Sequence, residues 1–160
     1  MDTQVLKAAV ESILTGFPEI SLVYLFGSQV SGNTGPMSDI DLGIFTEGVQ
    51  DEFTYLAHFT HKLNKALETN LLDVIPLRRA PIELAYAVIA KGICIYQKDL
   101  ARRVEFEANV LSRYGDYLPV LRAQREAILR GEDDEIRVQR YREAFRRTER
   151  TLREIKDTGK

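Results

Sequence analysis

Apolar and polar positions along this chain switch repeatedly between a period near 3.6 and a period of two or a continuous apolar run. The switches mark out an alternating series of helices and strands. In residues 2–15, Val5, Leu6, Ala9, Val10 and Ile13 share one helical face, and Gly16 and Pro18 close the element. Leu22-Val23-Tyr24-Leu25-Phe26 is an apolar run rich in β-branched and aromatic residues. It predicts a buried strand over 21–26 that stops at Gly27. A second strand is expected over 40–45. Asp51 is placed to cap a helix reaching about Thr69, with Phe53, Leu56, Ala57, Thr60, Leu63, Asn64 and Leu67 as its inward stripe. His58 and His61 fall just off that stripe, on a flank open to solvent or to a ligand. Residues 71–76 predict a third strand, broken once by Asp73. Pro81 opens a helix through Ala90, Gly92 ends it, and 93–97 form a fourth strand.

A boundary is expected at Gln97-Lys98-Asp99, giving a unit over 1–98 and a helical extension over 99–160. The extension divides into helices over 99–113 and 117–130, split by Gly115-Asp116, and a last helix from Asp133 to about Lys156. Val138, Tyr141, Phe145, Thr148, Leu152 and Ile155 give that last helix a 3-4 stripe, the seam of a helix pair. The seam suits its own domain, a second copy of the chain or another protein. From Arg137 to Lys160 there are nine basic and four acidic residues, interleaved as on a solvated face.

The candidate chemistry lies between the first two strands. Gly27 permits a sharp turn without a Cβ clash. Ser28 stands where a short helix can begin, and free N–H groups with a hydroxyl suit a phosphate there. A loop over 31–38 follows, with Gly32, Gly35 and Pro36. On the next strand Asp39 and Asp41 point the same way, roughly 7 Å apart, while Ile40 and Leu42 point into the core. Two such carboxylates repel unless a cation lies between them. A hard, oxygen-seeking ion such as Mg²⁺, which brings nucleotide phosphates with it, fits. Asp73 in its apolar strand completes three carboxylates if the two strands are neighbours. Singly, each signal has a structural explanation: Gly-Ser as loop, Asp-x-Asp as turn or cap, a strand Asp as an edge residue. Their order points to a metal–nucleotide site.

This geometry also constrains the sheet. Gly27-Ser28 lies at the end of strand one and Asp39 at the start of strand two, yet both must meet one nucleotide. The two strands therefore run antiparallel, in a mixed α/β (α+β) sheet backed by helices. The same geometry argues against a Rossmann sheet, whose parallel strands hold ligands at their carboxyl ends.

Composition adds bounds. With 160 residues, 44% hydrophobic and 29% charged, the chain can bury an ordinary core. A net charge of −2 gives no general attraction to nucleic acid. One cysteine, Cys94, excludes an internal disulfide and a multi-cysteine zinc site. Neither a membrane-length apolar run nor a charged-then-apolar leader is present, so the cytoplasm is the expected compartment.

Gly27-Ser28, ten residues, then Asp39-x-Asp41, together with Ser38-Asp39-Ile40-Asp41-Leu42 and Leu72-Asp73-Val74-Ile75, resembles the signature of DNA-polymerase-β-like nucleotidyltransferases. More narrowly, residues 21–97 resemble the minimal nucleotidyltransferases that serve as antitoxins in type VII MNT/HEPN toxin–antitoxin pairs. The resemblance implies a nucleotidyltransferase fold and transfer of AMP from ATP to a hydroxyl. Asp39 and Asp41 would hold Mg²⁺, of which two ions are implied, and Gly27 and Ser28 would grip the β/γ-phosphates. Asp73 would bind the second metal, act as general base, or both. It further implies an acceptor tyrosine on a HEPN toxin. Both histidines precede Arg103, so the toxin's Arg-x-x-x-x-His signature is expected on a separate chain. The alternatives are a non-catalytic antitoxin that masks its partner, and a nucleotidyltransferase acting on a small molecule or an RNA end.

Overall fold

The computed structural model describes residues 2–31 and 39–130. Most of the glycine-rich loop, and the residues expected to form the last helix with its stripe over 138–155, lie outside them. Two compact units divide the chain, Met1–Tyr114 and Gly115–Lys160.

In the first unit, α1 (Thr3–Ile13) starts at Asp2, whose carboxylate accepts from the Gln4 N–H at 2.8 Å. A single 3₁₀ turn, Leu14–Gly16, leads to β1 (Ile20–Phe26). The four-residue helix α2 (Ser28–Ser31) follows, then β2 (Ile40–Thr46), α3 (Glu52–Leu67), β3 (Leu72–Pro76), α4 (Ile82–Lys91) and β4 (Ile93–Gln97). The last described element is α5 (Leu100–Arg130). Sheet order is β3-β2-β1-β4. β1 is antiparallel to both β2 and β4, and β2 is parallel to β3. The antiparallel β1–β2 pair and the mixed sheet match what the site geometry required.

Both faces of the sheet are covered, which is why β1 reads as an unbroken apolar run. Val23, Leu25, Ile40, Leu42 and Ile44 pack against Leu6 and Val10 of α1 and Leu56, Phe59 and Leu63 of α3. On the opposite face Leu22 and Tyr24 meet Ala85 and Val88 of α4 and Phe106 and Val110 of α5. The start of α5 thus contributes to this core. Each fully buried aliphatic or aromatic side chain stabilises by about 1.5–3 kcal/mol.

Three expectations differ from the structure. Val5 is 54% exposed, because α1 is rotated to bury Leu6, Val10 and the following Leu14. The buried line of α3 runs Glu52, Leu56, Phe59, Leu63, not through Phe53 and Ala57; Phe53 is 84% exposed and Ala57 is also exposed. The helices expected on either side of Gly115-Asp116 are one helix, α5. A glycine costs a helix about 1 kcal/mol, which the flanking Leu, Arg, Glu and Ala residues outweigh.

Tyr24 ties β1 to α5. Its hydroxyl donates to Glu107 Oε1 at 2.6 Å, and Arg103 Nε reaches the same oxygen at 2.8 Å. Burial pushes the Glu107 carboxyl up, but the bonds from Tyr24 and Arg103 outweigh it and hold it below its usual value of 4.5. Burial, reinforced by Glu107, raises the Tyr24 phenol. A carboxyl depressed on folding stabilises fully above its unfolded value and loses that contribution as pH falls through the folded one. Glu107→Gln is therefore expected to lower stability at pH 7 by about 1–3 kcal/mol and to shrink the loss seen on acidification below about pH 4.5, in urea titrations at several pH values.

Candidate active site

At the end of β1, Gly27 adopts φ +74°, a left-handed conformation that side chains disfavour. The chain turns there directly into α2. Across the sheet, Phe26 stands opposite Asp41. A Cβ built on Gly27 would lie 1.9 Å from Asp41 Oδ2 and 2.8 Å from its Cγ. The glycine therefore does two jobs. It makes the turn, which the sequence indicated, and it leaves the volume that the Asp41 carboxylate occupies, which the sequence did not reveal. The Ser28 main-chain N–H bonds that carboxylate, so the start of α2 and the acid on β2 are held together.

Asp41 and Asp73 are directly paired in the parallel β2–β3 register. Neighbouring strands lie about 4.8 Å apart, and equal parity puts both side chains on one face. Asp39 stands exposed just before β2, Asp41 is half-buried within it, and Asp73 is exposed. Ile40 and Leu42 point to the opposite, buried face, at 3% and 0% exposure. The structure thus brings Gly27, Ser28, Asp41 and Asp73 to one end of the sheet, with Asp39 beside them.

Electrostatics follow from this crowding. Burial raises the Asp41 carboxyl above its usual 3.8, and the charges of Asp73 and then Asp39 raise it further; the Ser28 N–H opposes them. The donor chemistry fits a hard divalent cation: every group is a carboxylate oxygen, and a cation removes the repulsion that the three impose on one another. Among the described residues, no three acid, histidine or cysteine side chains converge on one point. The three acids are electrostatic neighbours, not a closed ligand shell.

His61 is exposed and lines a cleft beside β3 together with Asp73, whereas His58 is exposed and stands apart from that cleft. Cys94 is a half-buried thiol directed at the Tyr96 carbonyl, 3.3 Å away, and burial raises it. No helix among the described residues is long and apolar enough to cross a membrane.

Comparison with known proteins places this geometry. Residues 9–101 match the family model described as Polymerase beta, Nucleotidyltransferase. Protein adenylyltransferase MntA of Shewanella oneidensis is 29% identical over 112 residues, covering 70% of this chain and 76% of that protein. A crystal structure of a toxin–antitoxin with AMP-PNP contains a chain with TM-score 0.62 and 27% identity, over 77% of this chain and 94% of that one. A second similar chain, with TM-score 0.59 and 25% identity, spans 80% of this chain and 96% of its own. It comes from a tri-AMPylated Shewanella oneidensis HEPN toxin in complex with an MNT antitoxin.

Gly27→Ala is expected to destabilise by about 1–3 kcal/mol through backbone strain and displacement of Asp41, measured by urea unfolding. Asp41→Asn should do the opposite in metal-free buffer. A carboxyl raised on folding contributes stability below its unfolded value and loses it as pH rises through the folded one. The variant is therefore expected to gain on wild type as pH climbs from about 3.8, a difference read from paired thermal melts.

Proposed function

This chain belongs to the polymerase beta nucleotidyltransferase family, and from that premise we propose that it transfers AMP from ATP to a hydroxyl of a partner protein, a tyrosine of a HEPN-type toxin made as a separate chain. The observation that carries the reading is the register that sets Asp41 beside Asp73, with Gly27-Ser28 across the same end of the sheet. The similar chains found in toxin–antitoxin complexes, one with AMP-PNP and one with an AMPylated HEPN toxin, support the choice of nucleotide and acceptor.

In this mechanism Asp39 and Asp41 would hold Mg²⁺, with Asp73 contributing to a second ion. Bound there, the metal would supply neutralisation of phosphate charge as it develops. Ser28, at the start of α2, orients the β- and γ-phosphates. Asp73 accepts the proton of the acceptor hydroxyl. The hydroxyl oxygen forms a bond to the α-phosphorus, the bond from that phosphorus to the α–β bridging oxygen breaks, and pyrophosphate leaves. In this reading residues 1–98 carry the chemistry, and α5, which follows them, would help to hold a partner or a second copy. The compartment is the cytoplasm, where ATP is at hand.

Intact-mass spectrometry of a co-expressed HEPN partner tests the reading. Wild type is expected to add AMP to it, and Asp41→Asn to lower the rate by at least about 100-fold. Asp73→Asn should lose transfer while partner binding persists on size exclusion. A partner that is never AMPylated, yet is inhibited equally by wild type and Asp73→Asn, would mean that the chain acts by masking. Ser28→Ala is expected to weaken ATP binding by about 1.5–3 kcal/mol, read by calorimetry; unchanged affinity would remove its phosphate role.

A further inference from the structure

Among the described residues β3 is an edge strand, hydrogen-bonded within the sheet only to β2. The Ile40 N–H donates to the Leu71 carbonyl at 2.7 Å, and the Leu77 N–H to the Ile44 carbonyl at 2.8 Å. Main-chain groups alternate sides along a strand, so odd-numbered residues here face β2. The N–H and C=O groups of Leu72 and Val74 therefore face the open edge. Pro76, the next residue of that parity, has no N–H to offer, a usual feature of an edge.

A cleft of about 500 Å³ runs along this edge, between β3 and the outward flank of α3. Leu56, Leu72 and Val74 give it an apolar floor, Phe53 and Ala57 form its α3 wall, and Asp73 lies at its margin. These wall residues carry the α3 stripe that the sequence assigned to the core and the structure leaves in the open.

Two buried acceptor atoms in the lining accept no hydrogen bond. Glu52 is 4% exposed; its Oε1 takes the Thr46 hydroxyl, while its Oε2 has only Arg79 Nε at 3.3 Å, outside hydrogen-bonding geometry. Asn64 Oδ1 is the other. Buried acceptors without a hydrogen bond carry a desolvation cost, which the Arg79 charge offsets in part for Glu52.

We propose that this cleft receives an extended segment of the acceptor protein, which pairs with Leu72 and Val74 as a fifth strand and sets its hydroxyl residue over Asp73. The inference rests on the AMP-transfer reading for the role of Asp73. Side chains of an added strand alternate faces. One then enters the cleft above Leu72 and Val74, and its sequence neighbour lies on the face that carries Asp41 and Asp73. The recognised segment is thus a hydroxyl residue flanked by apolar ones. Strand addition of this kind draws affinity from main-chain bonds and specificity from alternate side-chain pockets. A polyanion such as RNA is a poor occupant, because the lining holds Glu52 and Asp73 and its one arginine, Arg79, is paired with Glu52.

Hydrogen–deuterium exchange of the full chain, with and without its HEPN partner, tests the cleft independently of catalysis. Exchange at the amides of Leu72 and Val74 is expected to slow on binding. Ala57→Arg fills the cleft from an exposed helical position. It is expected to raise KM for the protein acceptor by at least about tenfold, with kcat and the KM for ATP unchanged. Val5→Arg, on the exposed side of α1, serves as the surface-charge control and should change neither. AMP transfer with no protection at β3 and an unaltered acceptor KM in Ala57→Arg overturns the cleft and leaves the proposed function standing. Protection at β3 without transfer supports the cleft and contradicts the proposed function. Absence of both overturns both.

Discussion

The Asp41 carboxylate keeps its position only because residue 27 has no side chain. Any other residue would place a Cβ 1.9 Å from a carboxylate oxygen, at a backbone φ of +74° that side chains resist. The rest of the unit is arranged to make that approach possible. β1 must end where β2 begins, so the pair is antiparallel; β2 must run beside β3 in parallel, so that Asp73 comes level with Asp41. α1 and α3 on one face, and α4 and α5 on the other, hold the two strand ends rigidly enough for the contact to persist.

Crowding acids in this way is unfavourable on its own. Burial and the charges of Asp73 and Asp39 raise the Asp41 carboxyl, and the Ser28 N–H offsets only part of that. Fold stability and function are in tension at this point, as is usual where charge is held ready for a ligand. In the proposed function a divalent cation would relieve that tension and bring a nucleotide triphosphate with it. The same main-chain N–H that steadies Asp41 belongs to the residue that opens α2, so the proposed phosphate side and metal side of the site would be mechanically coupled.

Much of this was legible in the residues. Glycine after an apolar run, an Asp pair of equal parity and a lone Asp in a third run carried the site, and the need for both ends to meet fixed the antiparallel pair. The volume role of Gly27 was not legible, because it is a contact between positions 14 residues apart whose closeness depends on register. The α3 flank departs from its expected pattern for a related reason. Phe53, Ala57, Thr60 and Asn64 have helical spacing, but periodicity cannot say whether a neighbouring element covers that side. Among the described residues the sheet ends at β3 and leaves that side open. Glu52 at 4% exposure ran against composition, since a buried acid is expected only with partners, and those partners, Thr46 and Arg79, come from other elements. Gly115-Asp116 looked like a break because local propensity is weighed residue by residue, whereas a long helix averages it.

The central claim is that the cluster around Asp41 exists to hold a cation and, with it, a nucleotide. Carbon-detected NMR titration of the Asp41 carboxyl, with and without Mg²⁺ and a non-hydrolysable ATP analogue, tests it most directly. The account predicts a carboxyl that titrates above its ordinary 3.8 in metal-free buffer and falls below that value when the ion and nucleotide are added. An Asp41 titration that neither Mg²⁺ nor the analogue displaces would contradict it.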